Sequence, residues 1–476
     1  MPDLSLRQIT FHSDLVSKPV RDNFTDTENA INNLQDQIDL LTTTPGGTEV
    51  TNARDYHTVL RDRLRSDSLG RGNVLVSGGV VTQHAGTPNM TVDITAGEAV
   101  VGGIAVKWSA QTSGTITAPV SNTRLDYVVV NSDSSISVVA GTSAASPAFP
   151  SVASTQIVVA ALVVKSTTTS LNNGVEVFVF KDGHHLNYQD FYIGSSTTLS
   201  QGNYPVGNII FDAAITLSCV QTGTFKALNK EMISIQCYGN FHSTTNGTFA
   251  VATSNVITRY FSDGSAASTG KTDTSGGGGG ASSVAAGGAG GNGTGTGGAG
   301  GTVTRNASIA DPNYSSGKGG NGYNSGSPNA SDTTKVAIIF SILAENIYLR
   351  AGITNNGAVP SNPTTGGGCG GDGGGAVLLI ANNAFTASAI TVNCAGSVGA
   401  NAVTAGGGGG GGGGGLIFIR SNSFSSSATL TVSGGAGGTG AGGGASGSNG
   451  SAGLASQKLW TDNDSIYNTR MPFNIF

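Results

Sequence analysis

The chain has 476 residues, of which 75 are glycine and 13 proline, while charged residues make up only 11%. Glycine at more than twice its usual ~7% with so little charge is not the composition of a solvated disordered chain, and glycine does not recur at every third position as collagen requires. A net charge of −5 offers no clustered basic footprint for nucleic acid. No apolar run reaches the roughly 18 residues that span a bilayer. The opening stretch MPDLSLRQITFHSDL lacks a basic region followed by an apolar core, so an N-terminal export signal is not expected.

Glycine is distributed unevenly. Residues 1–260 hold 20 of the 75, and the other 55 all fall between Gly264 and Gly453. A conventional front half followed by an unusual back half is expected. The four cysteines, Cys219, Cys237, Cys369 and Cys394, are too scattered for a disulfide framework and form no C-x-x-C pair. They read as reduced thiols in a protein made in a cytoplasm, without structural zinc.

In chain order, Val20, Phe24, Thr27, Ile31, Leu34, Ile38 and Leu41 step alternately by four and three, with Asp, Asn, Glu and Gln between them. This heptad seam predicts a short coiled coil within residues 1–45, ended by Pro45-Gly46-Gly47. An amphipathic helix packed on a globular domain is the alternative. Alternation of Ile or Phe with Leu, taken alone, favours two strands. A helical junction is expected over 46–72. Alternating apolar and polar residues over Met90–Gly103, then the runs Arg124–Val130 and Ala160–Val164, predict a small antiparallel β domain over 73–187 with Val128 and Val163 inward.

Two features carry a resemblance. Glu49-Val50-x-x-Ala53-Arg54 is followed by Leu60-x-x-Arg63-Leu64, just after the heptad seam. This resembles a junction in tail-fibre and baseplate proteins of tailed bacteriophages, where the pattern follows a trimeric coiled coil. Further on, the Ala96-Gly97 turn, the Arg124-x-Asp126 strand and the loop from Gly141-Thr142 to Pro147-x-x-Pro150 look like a β module common in phage tail proteins. The resemblance covers roughly residues 20–180. It implies a structural connector without catalytic residues, and three chains rather than two.

Residues 188–476 alternate strand-like segments with glycine tracts. The segments are Asn208–Phe211, Met232–Gln236, Val336–Ile342, Val377–Ile380 and Leu416–Ile419. The stretch Gly366–Gly396 repeats as Gly406–Gly435, with Phe385 matching Phe424 and Val392 matching Val432, and Val336–Gly352 is a shorter copy. A period near forty with strands in each unit is repeat architecture. Ten consecutive glycines, Gly406–Gly415, suit a flexible linker when read alone. In register with buried-type strands they suit extended three-fold helices packed side by side, where only glycine lets backbones approach. The region is similar to the glycine-rich adhesins at the tips of some phage tail fibres. The expected fold is therefore mainly β: a short N-terminal coiled-coil stalk, a small antiparallel β domain, and a distal glycine-rich repeat that is either a polyglycine II-like bundle or a β-solenoid.

Catalytic motifs are wanting. The G-x-G-x-x-G matches within 287–301 have no βαβ context, and Gly270-Lys271-Thr272 lacks the upstream P-loop glycine because that position is Ser265. His184-His185 does not have the H-x-H spacing of phage-fibre iron sites, and Asp462-x-Asp464 lacks the rest of a calcium loop. Asp182 and Asp190 are spaced carboxylates with nothing to set them across a sugar cleft. No enzyme activity, cofactor or metal is expected. The reading is a homotrimeric virion fibre or adhesin, synthesised in the host cytoplasm. It joins other tail or baseplate proteins through its N-terminus and attaches the particle to a glycan or outer-membrane protein of the host, without binding nucleic acid or inserting into a membrane. A purely structural collar, head or baseplate fibre is the alternative. Recognition is expected in loops between glycine helices, with Tyr314, Asn321, Tyr323 and Asn324 as contact candidates.

Overall fold

The computed structural model describes residues 73–180, 189–200, 202–218, 220–221, 232–251, 256–257, 275–302 apart from 280, 283 and 294, 323–324, 327–328, and 338–459. The chain divides into two units, 1–70 and 71–476, and every described residue belongs to the second.

Residues 73–180 form antiparallel sheets. The strand Thr123–Asn131 lies between Ile136–Ala140 and Gln156–Lys165, and Val177–Val179 pairs along the far side of Gln156–Lys165. Alternation sends Leu125, Tyr127 and Val129 into one apolar cluster and Val128 and Val130 into another on the opposite face. Both faces are covered, so the strand reads as a nearly unbroken apolar run. Val128 and Val163 are both buried, on opposite faces of the sheet. A bulge shifts the register between Val128, opposite Ala160, and Val129, opposite Val158. Val159 and Ala160 consequently turn into the same cluster.

The Arg124-x-Asp126 spacing has a physical cause. Residues two apart in a strand share a face, and the Arg124 guanidinium grips the buried Asp126 carboxylate through two bonds of 2.7 and 2.8 Å. Asp126 also accepts the Gly141 N–H at 3.0 Å. A Cβ at Gly141 would lie 2.2 Å from the Leu125 carbonyl oxygen, so only glycine closes this turn.

From residue 191 onward the two large sheets are parallel, and the exceptions among the described residues are the short ribbon of Tyr323–Asn324 with Ser327–Pro328 and the bridge between Gly366 and Val403, both antiparallel. One sheet of ten strands contains the row Phe191–Ile209–Phe241–Ile347–Phe385–Phe424, in which each residue pairs with the next. A second sheet of six strands carries Thr197–Ile215–Phe249–Ile353–Val392–Leu430 in the same manner. Each successive coil crosses both sheets, and most of these residues meet in one core between them. Asparagines run up a corner of the coils. Asn240 N–H donates to the Asn208 side-chain oxygen at 2.8 Å, Asn346 to Asn240 at 2.8 Å, and Asn383 to Asn346 at 3.0 Å. This ladder satisfies polar groups where the backbone bends.

The expected fold class is corrected on these findings. No helix occurs among the described residues, and the expected coiled coil and the helical junction over 46–72 lie outside them. The distal half is built on parallel sheets, one of ten strands, rather than on one of two exclusive glycine architectures. The extent of the sheet was obscured because the step from Phe241 to its partner Ile347 spans 106 residues. Val392 also pairs with Leu430 rather than the expected Val432.

Between the strands, the glycine tracts bond to one another. From 406–415, the N–H groups of Gly408, Gly411 and Gly414 donate to Ala445, Ser448 and Ser451. Those of Gly409, Gly412 and Gly415 donate to Ala400, Ser397 and Cys394, and Gly410 donates to Gly277. Carbonyls of the same tract accept from Gly368, Gly371 and Gly374, from Ala441, Gly438 and Gly435, and from Gly291 and Gly288. Every third residue therefore meets the same neighbour. That is the period of a three-residue helix, with six tracts around it, and all ten glycines are buried. A Cβ at Gly410 would lie 2.0 Å from the Gly288 carbonyl oxygen.

Two predictions follow from this packing. Val128→Asp places an unpaired charge at a site with 0% exposure, and thermal melting should show destabilisation on the order of 4 kcal/mol or more. Gly410→Val should cost about 3 kcal/mol or more by forcing two backbones apart and breaking their hydrogen bonds. Ser448→Val, in an exposed column of a neighbouring tract, should stay within about 0.5 kcal/mol. Equal melting of the two valine variants would mean that the central tract is not packed in this way.

Candidate functional site: the turns of the glycine hairpins

Three of the glycine hairpins continue strands. Residues 394–403 leave the second sheet after Thr391–Asn393, turn at Thr404-Ala405, and return as 406–415 into Leu416–Ser421. The pair 432–441 and 444–453 does the same one coil later, turning at Gly442-Gly443, and 355–360 with 366–375 does so one coil earlier. A further pair, 285–293 and 295–302, packs on these, with Asn292 level with Ala445. The cross-tract bonds match the tracts level by level, so these four turns gather at the end remote from the sheets.

Local chemistry holds the turns. Thr404 adopts φ 59°, and Gly442 and Gly443 adopt φ 57° and 91°, the left-handed conformation that a two-residue reversal demands. Val403 N–H donates to the Gly366 carbonyl at 2.9 Å, tying two turns together. Amide side chains link successive coils: Asn362 accepts from the Asn401 N–H at 3.0 Å, and Asn401 accepts from the Thr439 N–H at 2.9 Å. Asn292 closes its own turn by accepting from the Gly297 N–H at 2.7 Å.

The surface so built is neutral. Segments 284–302, 355–366, 394–406 and 432–453 contain no Asp, Glu, Lys, Arg or His. Ser361, Asn362, Thr364, Thr365, Asn401 and Thr404 are exposed there, and Val359 and Val398 lie exposed on the flank. Without a general base, hydroxyls of this kind are not nucleophiles. Cys394 lies at the sheet end of its tract, fully buried, where burial pushes its thiol up. Among the described residues no group of three or more His, Cys, Asp or Glu stands ready for a metal. The arrangement offers hydrogen-bonding groups and shape rather than charge.

Ionisable side chains concentrate instead where the antiparallel sheets meet the coils. Asp190, one of the spaced carboxylates, accepts the Tyr127 hydroxyl at 2.6 Å and the Asn208 backbone and side-chain amides at 2.7 and 3.0 Å. It holds structure together. Asp212 accepts from Lys165 at 2.8 Å, Thr244 at 2.7 Å and Tyr192 at 3.0 Å. Burial works against its charge, but these donors prevail and hold the carboxyl below its usual range. Cys237 is buried between the Gly207 and Asn240 carbonyls, and burial pushes its thiol up.

Of the contact candidates read from the sequence, Tyr314 and Asn321 lie outside the described residues, as do Asp182, His184-His185, Gly270-Lys271-Thr272 and Asp462-x-Asp464. Tyr323-Asn324 pairs with Ser327-Pro328 as a short antiparallel ribbon. Residues 361–365 and Asn401 are not singled out by the sequence reading, yet all but Pro363 lie exposed at the turns. Their signal is Asn, Thr and Pro breaking a glycine tract where it must reverse. No family model, curated protein or solved structure matches the chain.

Asn401→Ala should loosen one turn without touching the lattice beneath it. Hydrogen exchange at the Thr439 amide should accelerate roughly 10-fold, the loss of one net hydrogen bond. The Gly438 amide, bonded to Gly409 at 2.7 Å, should be unchanged.

Proposed function

We propose that the chain is a fibre protein of a tailed-bacteriophage virion that attaches the particle to the host cell surface, with the hairpin turns as its contact surface. The observation that carries this reading is a set of uncharged, exposed turns mounted on a lattice whose central tract is wholly buried. Side chains at such turns vary without disturbing the scaffold, which is what a recognition surface requires. The resemblance of residues 20–180 to tail-fibre connectors supports a virion location. It also supports assembly as a homotrimer, joined to other tail or baseplate proteins through the N-terminal part. The role is binding rather than catalysis, and the Tyr323-Asn324 ribbon is a second contact candidate.

The test is cell binding by the purified full chain, alongside a variant with Asn362, Thr364, Asn401 and Thr404 all changed to alanine. The unaltered protein should bind host cells and compete with infection, and the variant should lose at least about 10-fold in affinity while keeping its melting temperature. Because the turns carry no charge, binding should change less than about twofold between 50 and 300 mM salt. Failure of the unaltered protein to bind would favour a purely structural fibre. A variant that still binds would shift the contact to the segment around Tyr323.

A further inference from the structure

His242 occupies the joint between the antiparallel sheets and the coils. Its strand Asn240–Ser243 lies between Ile209–Phe211 and the second half of Ile339–Leu349, with His242 opposite Ile210 on one side and Tyr348 on the other. The imidazole is buried and lies flat on the Tyr348 ring, with centroids 4.6 Å apart. From the antiparallel side, Phe178 meets it edge-on at 5.4 Å and Phe180 stacks at 6.3 Å. Its Nε2–H donates to the Val179 carbonyl at 2.9 Å, and that carbonyl also accepts the Asn240 side chain at 2.8 Å. A single backbone oxygen thus receives two side chains across the joint.

We propose that this joint is an acid-sensitive latch, closed while the His242 ring is neutral and released when it gains a proton. The groups around the ring favour the neutral form. Phe178, Phe180 and Ile210 are apolar, and burial holds the Tyr348 and Tyr192 hydroxyls protonated. Among the described residues Arg350 is the nearby charge, and its guanidinium packs against Gly174 of the antiparallel part. A second cation here meets burial first and Arg350 second. The Tyr348 face and the Val179 carbonyl compensate only in part, and the ring's affinity for a proton falls to a pKa of about 4. Among the described residues, the carboxylates Asp190 and Asp212 of the joint are committed to other partners, Asp190 to Tyr127 and Asn208, and Asp212 to Lys165, Thr244 and Tyr192.

The sign follows from linkage. An opened joint returns His242 to its ordinary value near 6.5, so the open form binds protons more readily. Closure is at full strength above about pH 6.5 and is lost as pH falls towards 4. Asp212, held below its usual range, acts in the same direction but only at pH values below those of an ordinary carboxylate. Over pH 7.5 to 4.5 the opening equilibrium should rise roughly 100-fold.

Hydrogen exchange on the full chain tests this, after correction for the intrinsic pH dependence of exchange. Peptides covering Val177–Phe180 and Asn240–Ser243 should lose protection roughly 100-fold between pH 7.5 and 4.5. His242→Gln, which keeps a neutral donor for Val179, should retain protection throughout. Protection that persists at pH 4.5 in the unaltered chain, or that is lost in parallel in His242→Gln, would overturn the proposal. If His242→Gln does not fold, NMR titration of the imidazole in the unaltered chain decides: a midpoint well below 6.5 with loss of the aromatic contacts supports the latch, and an ordinary midpoint ends it.

Discussion

The back half of the molecule depends on how closely two peptide backbones approach when neither carries a side chain. A buried backbone must place its N–H and C=O groups on partners, and a strand does so with two neighbours. A three-residue helix turns successive donors through a third of a circle, so its partners lie on every side. For residues 406–415 the partners are six other tracts. At that spacing a Cβ has no room: at each of Gly409 to Gly412 it would lie 1.9 to 2.0 Å from a carbonyl of a neighbouring tract.

This geometry turns glycine content into a map of position. The central tract is all glycine. In 432–441 the pattern is Gly434-Gly435-Ala436-Gly437-Gly438-Thr439, and Ala436 and Thr439 face outward. In 444–453 only Gly444, Gly447, Gly450 and Gly453 recur, and the two residues between each pair are exposed. In these three tracts, three, two and one glycines per triplet correspond to a tract enclosed, half enclosed and at the edge, whereas 366–375 is wholly buried with Cys369 and Asp372 in its triplets. The lattice does not have to find its own register, because the parallel sheets impose it. Gly415 leads into Leu416, which pairs with Ala376 and Leu454, and these follow Gly375 and Gly453. Strand packing, driven by rows such as Phe385 on Phe424, positions backbones that have no side chains with which to sort themselves.

This division of labour explains what was legible in the sequence. Phe385 and Phe424 were aligned from the repeat, and they are in-register partners. The Arg124-x-Asp126 and Gly141 signature marked a strand and turn that the structure explains through one buried carboxylate. Pairing partners across long insertions were not legible, since nothing local in Phe241 names Ile347 as its neighbour. The sequence alignment also erred by two residues at Val392, because small deletions between strands are absorbed at turns, where glycine and serine carry no periodic signal. At the candidate site, aromatic residues drew attention to 314–324. The turns that the lattice exposes are made of small or polar residues such as Ser361-Asn362-Pro363-Thr364-Thr365, Thr404-Ala405 and Gly442-Gly443, which carry no aromatic signal.

The two ends of this structure are governed by different physics. At the turns every group is neutral, and the forces available are hydrogen bonds and contact, which respond weakly to salt or acidity. At the joint, Asp126, Asp190, Asp212, Lys165 and His242 lie within a few strands of one another along the antiparallel sheet and the first coils. Burial there lowers the proton affinity of the His242 ring and works against the charge on Asp212. The hairpin tracts 394–406 and 432–453 carry no ionisable side chain, and Asp372, buried in tract 366–375, is the acidic residue of the hairpin lattice among the described residues. The geometry of the turns is set by glycine packing beneath them and by the neutral amide bonds of Asn292, Asn362 and Asn401.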